Sequence, residues 1–362
     1  MFVCPFTLMN ILFLCPYPHG EAPSQRFRFE QYFQVLEKEN CEYSVSSFLD
    51  METWDVLYEK GHFAQKTLGI LKGFFRRCAL IFDVKKFDKI FIHREVAPLG
   101  PPVFEWILAK VYRKKIIYDF DDAIWMKNTS DENAIASALK WHSKVSSICK
   151  WSSHVSVGNA FLTDYASQFN ASVTLNPTTI DTNTVHVPSH SDNSVPVIGW
   201  TGTHSTGKYL TELLPVLGQI YDQHKFKFLY ISNKAPDVQF PNMEFVKWNK
   251  ESETADLNRI DIGLMPLQDD AWAQGKCGFK ALQYMALEIP ALVSPVGVNS
   301  DIVENGIHGF HCTTEKDWKM RIIEMLQQPE LRDILGKNGR KKVIAEYSVQ
   351  SNTQNFMRII KS

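Results

Sequence analysis

Eight short apolar runs, each followed by a polar or Gly/Pro-containing turn and then a helical stretch, constrain this chain more than any other feature. They are Ile11–Cys15, Lys89–His93, Lys115–Asp119 and His154–Val157 in the first half, then Val195–Trp200, Lys227–Ile231, Ile260–Leu267 and Ala291–Ser294 in the second. A strand buried on both faces reads as a continuous run, whereas a half-wet antiparallel strand alternates. Alternation with helices implies βαβ units, so the pattern predicts an α/β protein with two doubly wound, Rossmann-like domains.

The length agrees. At 362 residues the chain exceeds what one core covers, and two domains are expected. The polar, proline-flanked stretch PSHSDNSVP, Pro188 to Pro196, lacks periodicity and reads as the boundary. The expected layout is therefore residues 1–187, residues 188–346, and a closing helix over 347–362. Pro329-Glu330 suits the first turn of a helix, and Ser348 suits the N-cap of the last one.

A net charge of −1 argues against a nucleic-acid partner, whose phosphates call for a basic excess. Seven cysteines are scattered singly with no C-x-x-C pair, which suggests neither zinc nor a disulfide framework and fits a reducing, cytoplasmic setting. The apolar start, Met1 to Leu14, lacks a basic region and a cleavage site, and Met9 is an alternative start. No run of 18 apolar residues occurs. Between Lys66 and Lys89, Phe74, Phe75, Leu80, Ile81 and Phe82 are interleaved with Lys72, Arg76, Arg77, Lys85 and Lys86. This pattern suits either a basic amphipathic helix lying on the inner face of an anionic membrane or a core helix with a solvated face.

In parallel sheets ligands sit beyond the carboxyl ends of the strands. After the first run comes PYPHGEAPSQRFRF, with Ser24, Arg26 and Arg28. After Val195–Ile198 comes GWTGTHSTGKY, in which Gly199, Thr201, Gly202 and Thr203 precede Lys208. Backbone there can approach a phosphate while Lys208 neutralises it, although a plain polar turn fits too. It is not a P-loop, because Tyr209 follows Lys208 and the hydroxyl that would hold magnesium is missing. The richest stretch runs from Asp261 to Phe310. In it GKCGFK opens a helix over Phe279 to Leu287, and Lys276, Cys277, Gly278 and Phe279 offer N–H groups. Lys276 and Lys280, four apart, are expected on one helical face, where they oppose the dipole as residues at an anion site do.

These segments together resemble the retaining glycosyltransferases of the GT-B fold, glycosyltransferase family 4 (glycosyl transferases group 1). The resemblance runs through NILFLCPYP (Asn10–Pro18), FIHRE (Phe91–Glu95), YDFDDAIW (Tyr118–Trp125) and VSVGNAFLTDYA (Val155–Ala166). It continues in LNPTTIDT (Leu175–Thr182), IGWTGTHST (Ile198–Thr206), PVGVNSDIVENGIHGF (Pro295–Phe310) and GKNGRKKVIAEYS (Gly336–Ser348). It implies two domains facing a cleft, with the last helix crossing back to the first domain. It places Lys208 where a lysine meets the donor diphosphate, and Gly202 where a second cation often sits. The family's two glutamates, eight apart, fall here on Gly275 and Gln283. An amide at Gln283 still hydrogen-bonds ribose hydroxyls, whereas Gly275 supplies nothing in place of a carboxylate. Asp121 falls where the family often has an active-site histidine.

The resemblance thus implies transfer of a sugar from a nucleotide-sugar to a hydroxyl of a glycan or lipid-linked acceptor, in polysaccharide or lipopolysaccharide-type assembly. Retention of configuration and the absence of any metal or other cofactor are implied by the family alone. Asp121, Asp122, Lys276 and Lys280 are the expected catalytic residues. Gly199, Thr201, Gly202, Thr203, Lys208, Cys277, Gly278, Phe279 and Gln283 are expected at the donor, and Ser24, Arg26, Arg28 and His93 at the acceptor. Asp121 and Asp122 also read as caps, and His93 as a structural histidine. An epimerase or phosphorylase on the same fold, or an inactive nucleotide-sugar-binding protein, remain open.

Overall fold

The structure, a computed structural model, describes residues 9–57, 59, 61–126, 140–189, 193–203 and 206–362. It divides into two compact units, Met1–Pro177 with Thr353–Ser362, and Thr178–Asn352. Each unit holds one six-stranded, all-parallel sheet.

The first sheet comprises β1 (Met9–Cys15), β2 (Cys41–Ser47), β3 (Lys89–His93), β4 (Lys115–Phe120), β5 (His154–Val157) and β6 (Val173–Leu175), in the order β2-β1-β3-β4-β5-β6. The second comprises β7 (Val197–Gly202), β8 (Lys227–Ser232), β9 (Met243–Lys247), β10 (Ile262–Met265), β11 (Ala291–Val293) and β12 (Gly309–His311), in the order β12-β11-β10-β7-β8-β9. The eight apolar runs are the eight inner strands. The four strands that the sequence did not mark, β2, β6, β9 and β12, are the four edges. An edge strand is covered less completely, so its sequence need not be a continuous apolar run. β2 (CEYSVSS) and β9 (MEFVK) alternate or stay half-wet accordingly. β10 is shorter than the apolar run around it because Pro266 follows at once and cannot donate to a ladder.

Five of the helices are α1 (Phe63–Asp83), α2 (Gly207–Thr211), α3 (Phe279–Ala286), α4 (Pro329–Lys342) and α5 (Val349–Lys361). Pro329 opens α4, and the Ser348 hydroxyl accepts from the Ser351 amide at 3.0 Å to cap α5.

The second unit begins at Thr178, ahead of the polar stretch Pro188–Pro196. Residues 178–189 are tied into it. Ile180 exchanges backbone bonds with Tyr347 and Val349, the Arg340 guanidinium donates to the carbonyls of Thr182 and His186, and the Ser189 amide donates to Asn258. From Thr353 the last helix belongs to the first unit. There Phe356 stacks on Tyr32 with centroids 4.2 Å apart, and Lys89 Nζ donates to the Ile360 carbonyl at 2.8 Å. Among the described residues no helix is long and apolar enough to cross a membrane.

Candidate functional site

In the second unit the carboxyl ends of β7 and β8 gather much of the predicted donor site. Trp200 on β7 is fully buried and packs on Tyr230 of β8, centroids 4.9 Å apart. Over the Trp200 ring lies Lys280 Nζ, 5.7 Å from its centroid. Gly202 ends the strand, and a Cβ there would come within 2.5 Å of Trp200 and 2.8 Å of Thr206 Oγ1. At Gly207 a Cβ would stand 3.2 Å from the Tyr230 hydroxyl. One aromatic pair therefore underlies Lys280, Gly202 and the first turn of α2. The Thr203 carbonyl accepts from the amide and hydroxyl of Thr206, which fixes the turn. Lys208, on α2, is exposed and lies over the Tyr209 ring, 4.9 Å away.

The α3 entrance is built from close approach. Gly278 caps the helix at φ +67°, and a Cβ there would strike Ile302 Cδ1 at 2.1 Å. Only glycine meets both demands. Cys277 beside it is buried and Phe279 half-buried. The loop 294–298 braces this entrance: the Leu267 amide donates to Ser294 Oγ at 3.0 Å, and Asn299 Nδ2 donates to the Ser294 carbonyl at 3.2 Å. Asn299, which the sequence reading passed over, is fully buried with its Oδ1 lacking a hydrogen-bond partner.

Three donor-side expectations change. Lys276 does not share a helical face with Lys280, because α3 starts only at Phe279 and Gly278 turns the chain before it. Its ammonium lies instead over the Trp272 ring at 4.8 Å. Gly199 lies inside β7 rather than in a loop, and its missing Cβ makes room for Ile260, whose Cγ1 would stand 2.3 Å away. Thr201 is likewise a strand residue, its amide donating to the Tyr284 hydroxyl at 3.1 Å. Gln283 is buried, with its amide nitrogen 3.3 Å from both Glu253 Oε1 and His186 Nε2. Glu253 and His186 were not picked out from sequence, because only the fold brings them to α3.

In the first unit the strand ends gather paired charge. Arg94 adopts φ +60°, a left-handed conformation costly for an arginine. Its guanidinium meets Asp121 Oδ1 at 2.7 Å and Asp122 Oδ2 at 3.6 Å, and its carbonyl accepts from the Tyr118 hydroxyl at 2.8 Å. Burial alone would raise the Asp121 pKa, but Arg94, with His93 and Arg28 farther off, outweighs it and holds the carboxyl below its ordinary range. Burial likewise opposes the charge on Arg94, yet Asp121 and Asp122 hold it firmly protonated. Asp121 is thus an ionised hydrogen-bond acceptor and a weak base. The Asp-Asp pair already faces a cation. Among the described residues no group of three or more His, Cys, Asp or Glu is placed to hold a metal ion.

Arg28 and His93 lie deeper than expected. Arg28 is buried and its Nη2 reaches Asp119 Oδ1 at 2.5 Å, with further bonds to the Asn176 carbonyl and Ser156 Oγ. It does not reach out to an acceptor, because Asp119 inside β4 needs a counter-charge. His93 Nδ1 bonds the same carboxylate at 2.8 Å, and its Nε2 is buried without a partner. Burial would raise the Asp119 pKa, but Arg28 and His93 together depress it well below the carboxylate range. Ser24 and Arg26 occupy a single helical turn, Pro23–Arg26, both half-buried, with Arg26 over the Phe27 ring at 5.0 Å.

Two parallel α/β sheets with flanking helices, the second unit's chain followed by a helix belonging to the first, define the GT-B architecture. Residues 241–342 match the family model described as Glycosyl transferases group 1. No curated protein sequence gives a significant match. Among solved structures the chain resembles a sucrose-phosphate synthase from Thermosynechococcus elongatus at 12% identity, with a TM-score of 0.70 and 98% of each chain covered. A glycosyltransferase from Rickettsia africae shows 13% identity, TM-score 0.68 and 98% of each chain. The Anabaena protein Alr3699/HepE, in complex with UDP, shows 14% identity, TM-score 0.64, 98% of this chain and 100% of that one. At such identities the likeness is one of fold. The family-model match within that fold supports a nucleotide-sugar glycosyltransferase.

Proposed function

We propose that the chain transfers a glycosyl unit from a nucleotide-sugar to a hydroxyl of a glycan or lipid-linked acceptor. In this reading it keeps the anomeric configuration, as family 4 does, and serves cell-surface polysaccharide assembly without a metal. The observation that carries the reading is the arrangement at β7 and α3: Lys280 lies over the Trp200 ring, which also packs under Gly202 in the turn that leads to Lys208. Such a turn lets backbone approach phosphate oxygens, and two cations stabilise the diphosphate as it leaves. Gln283, with Glu253 beside it, would hydrogen-bond the ribose hydroxyls. The orphan Oδ1 of Asn299 is a suitable acceptor for a sugar hydroxyl. Asp121, kept ionised, would accept the acceptor's hydroxyl proton in a hydrogen bond and stabilise positive charge at the sugar; its low basicity makes outright deprotonation its weaker role.

The test is calorimetric titration of UDP, GDP, ADP and dTDP into the chain and into Lys208→Ala and Lys280→Ala. One diphosphate should bind, and each variant should weaken it. Unchanged affinity in both would sink the assignment. A second reading, a binding protein without turnover, is favoured by Gly275, which is buried where the family's first carboxylate falls. Slow hydrolysis of a bound donor, followed by mass spectrometry, would exclude it. An epimerase or phosphorylase would be separated by product analysis with and without phosphate.

A further inference from the structure

Helix α1 (Phe63–Asp83) presents two opposite faces. On one, Gly69, Gly73 and Arg77 are buried. A Cβ at Gly69 would come within 2.0 Å of Thr53, and one at Gly73 within 2.6 Å of Phe48, so this face is pressed against the unit. At about 100° per residue, Leu68, Leu71, Phe75, Cys78 and Phe82 form one narrow stripe diametrically opposite. Leu68 is 54% exposed, Leu71 60%, Phe75 77% and Phe82 81%. Isolated exposed apolar residues need no explanation, but a continuous stripe of them over four turns does.

Charge identifies what covers the stripe. Residues 63–86 and 103–115 contain ten Lys and Arg against two acids, in a chain whose net charge is −1. Glu105 among the acids and Arg77 among the bases are buried, which leaves nine basic residues against one acid. The two segments adjoin, since Phe74 and Phe104 lie 6.2 Å apart and Lys114 Nζ donates to the Lys85 carbonyl at 3.1 Å. Val103, Trp106 and Val111 add further exposed apolar surface to the second segment. A second copy docking isologously would set these basic clusters against each other, which is unfavourable. Lys72 meets Glu52 at 3.4 Å and Lys86 meets Asp83 at 3.5 Å, all exposed. Such pairs are worth little and are readily exchanged for lipid phosphates.

We propose that α1 docks the protein on an anionic lipid surface. The helix lies in the plane of the interface, Leu68, Leu71, Phe75 and Phe82 enter the acyl boundary, and Lys72, Lys85 and Lys86 meet the headgroups. This assignment is independent of the catalytic reading, and donor affinity should not depend on it. The experiment is co-sedimentation of the full chain with phosphatidylcholine vesicles and with vesicles containing about a third phosphatidylglycerol. The wild type should sediment with the anionic vesicles, less with neutral ones, and less at high salt. Phe75→Ser/Phe82→Ser and Lys85→Glu/Lys86→Glu should each cut binding about tenfold with unchanged melting temperature, because all four side chains are solvent-exposed. Equal binding to both vesicle types, no binding, or no loss in either variant would overturn the proposal. So would a dimer in light scattering that Phe75→Ser/Phe82→Ser dissolves, which would make the stripe an interface between copies.

Discussion

The two sheets treat charge at their carboxyl ends in opposite ways. In the first unit, Arg28 is locked to Asp119 and Arg94 to Asp121 and Asp122, so two arginines face three carboxylates within the fold. In the second, Lys280, Lys208 and Lys276 lie over aromatic rings. A ring holds an ammonium through its quadrupole without neutralising it. The first strand-end region thus sets cations against carboxylates, and the second sets its lysines against aromatic faces. On the proposed function, the first arrangement keeps Asp121 ionised for the acceptor, and the lysines of the second add binding energy for an anion.

The largest test of this contrast is Asp119→Asn. It leaves Arg28 buried without its counter-charge and should cost about 3–5 kcal/mol in denaturant unfolding. Acid should act in the same direction. The Asp119 pKa is depressed in the folded chain, so its stabilisation is present above the ordinary value of 3.8 and drains away as pH falls below it. Hydrogen exchange should show β4 peptides losing protection before β10 peptides; simultaneous loss would break the contrast. Next in size, Lys208→Ala/Lys280→Ala should weaken nucleoside-diphosphate binding by about 2–3 kcal/mol with little change in melting temperature. Gly278→Ala should destabilise by about 1–2 kcal/mol through its left-handed φ and the contact with Ile302, and a neutral result would show that the α3 entrance is pliable. The smallest effect belongs to Lys276→Ala, about 0.5–1 kcal/mol in diphosphate affinity, since that lysine stands off the helix over Trp272. A loss matching that of Lys280 would restore a shared face.

How much of this was legible in the sequence follows from burial. The inner strands announced themselves because both faces are covered. β2, β6, β9 and β12 did not, because an edge strand can be polar, as Ser44, Ser46 and Ser47 are in β2. On the proposed donor side, the glycines and the helix start were readable, since local backbone geometry demands them. The first unit's site was harder. Arg28 looked like surface chemistry because the carboxylate that buries it, Asp119, lies far along the chain, whereas the structural alternative for His93 fits its bond to that carboxylate. Glu253 and His186 carry no local signal at all; their partners are set by topology. The Lys276–Lys280 pairing failed for a local reason, since spacing by four means one face only if the helix has already begun.

The return of the last helix has a consequence for how the chain comes to be folded. Tyr32 waits for Phe356, and Lys89 waits for Ile360, 271 residues further on. As the chain leaves the ribosome, the whole second unit is made before the first receives its final helix. The first unit must therefore persist for a time with an aromatic side chain and an amine uncovered. Its completion is a late, long-range closure of the kind that slows folding. A chain shortened before Thr353 would leave the first unit, not the second, unfinished.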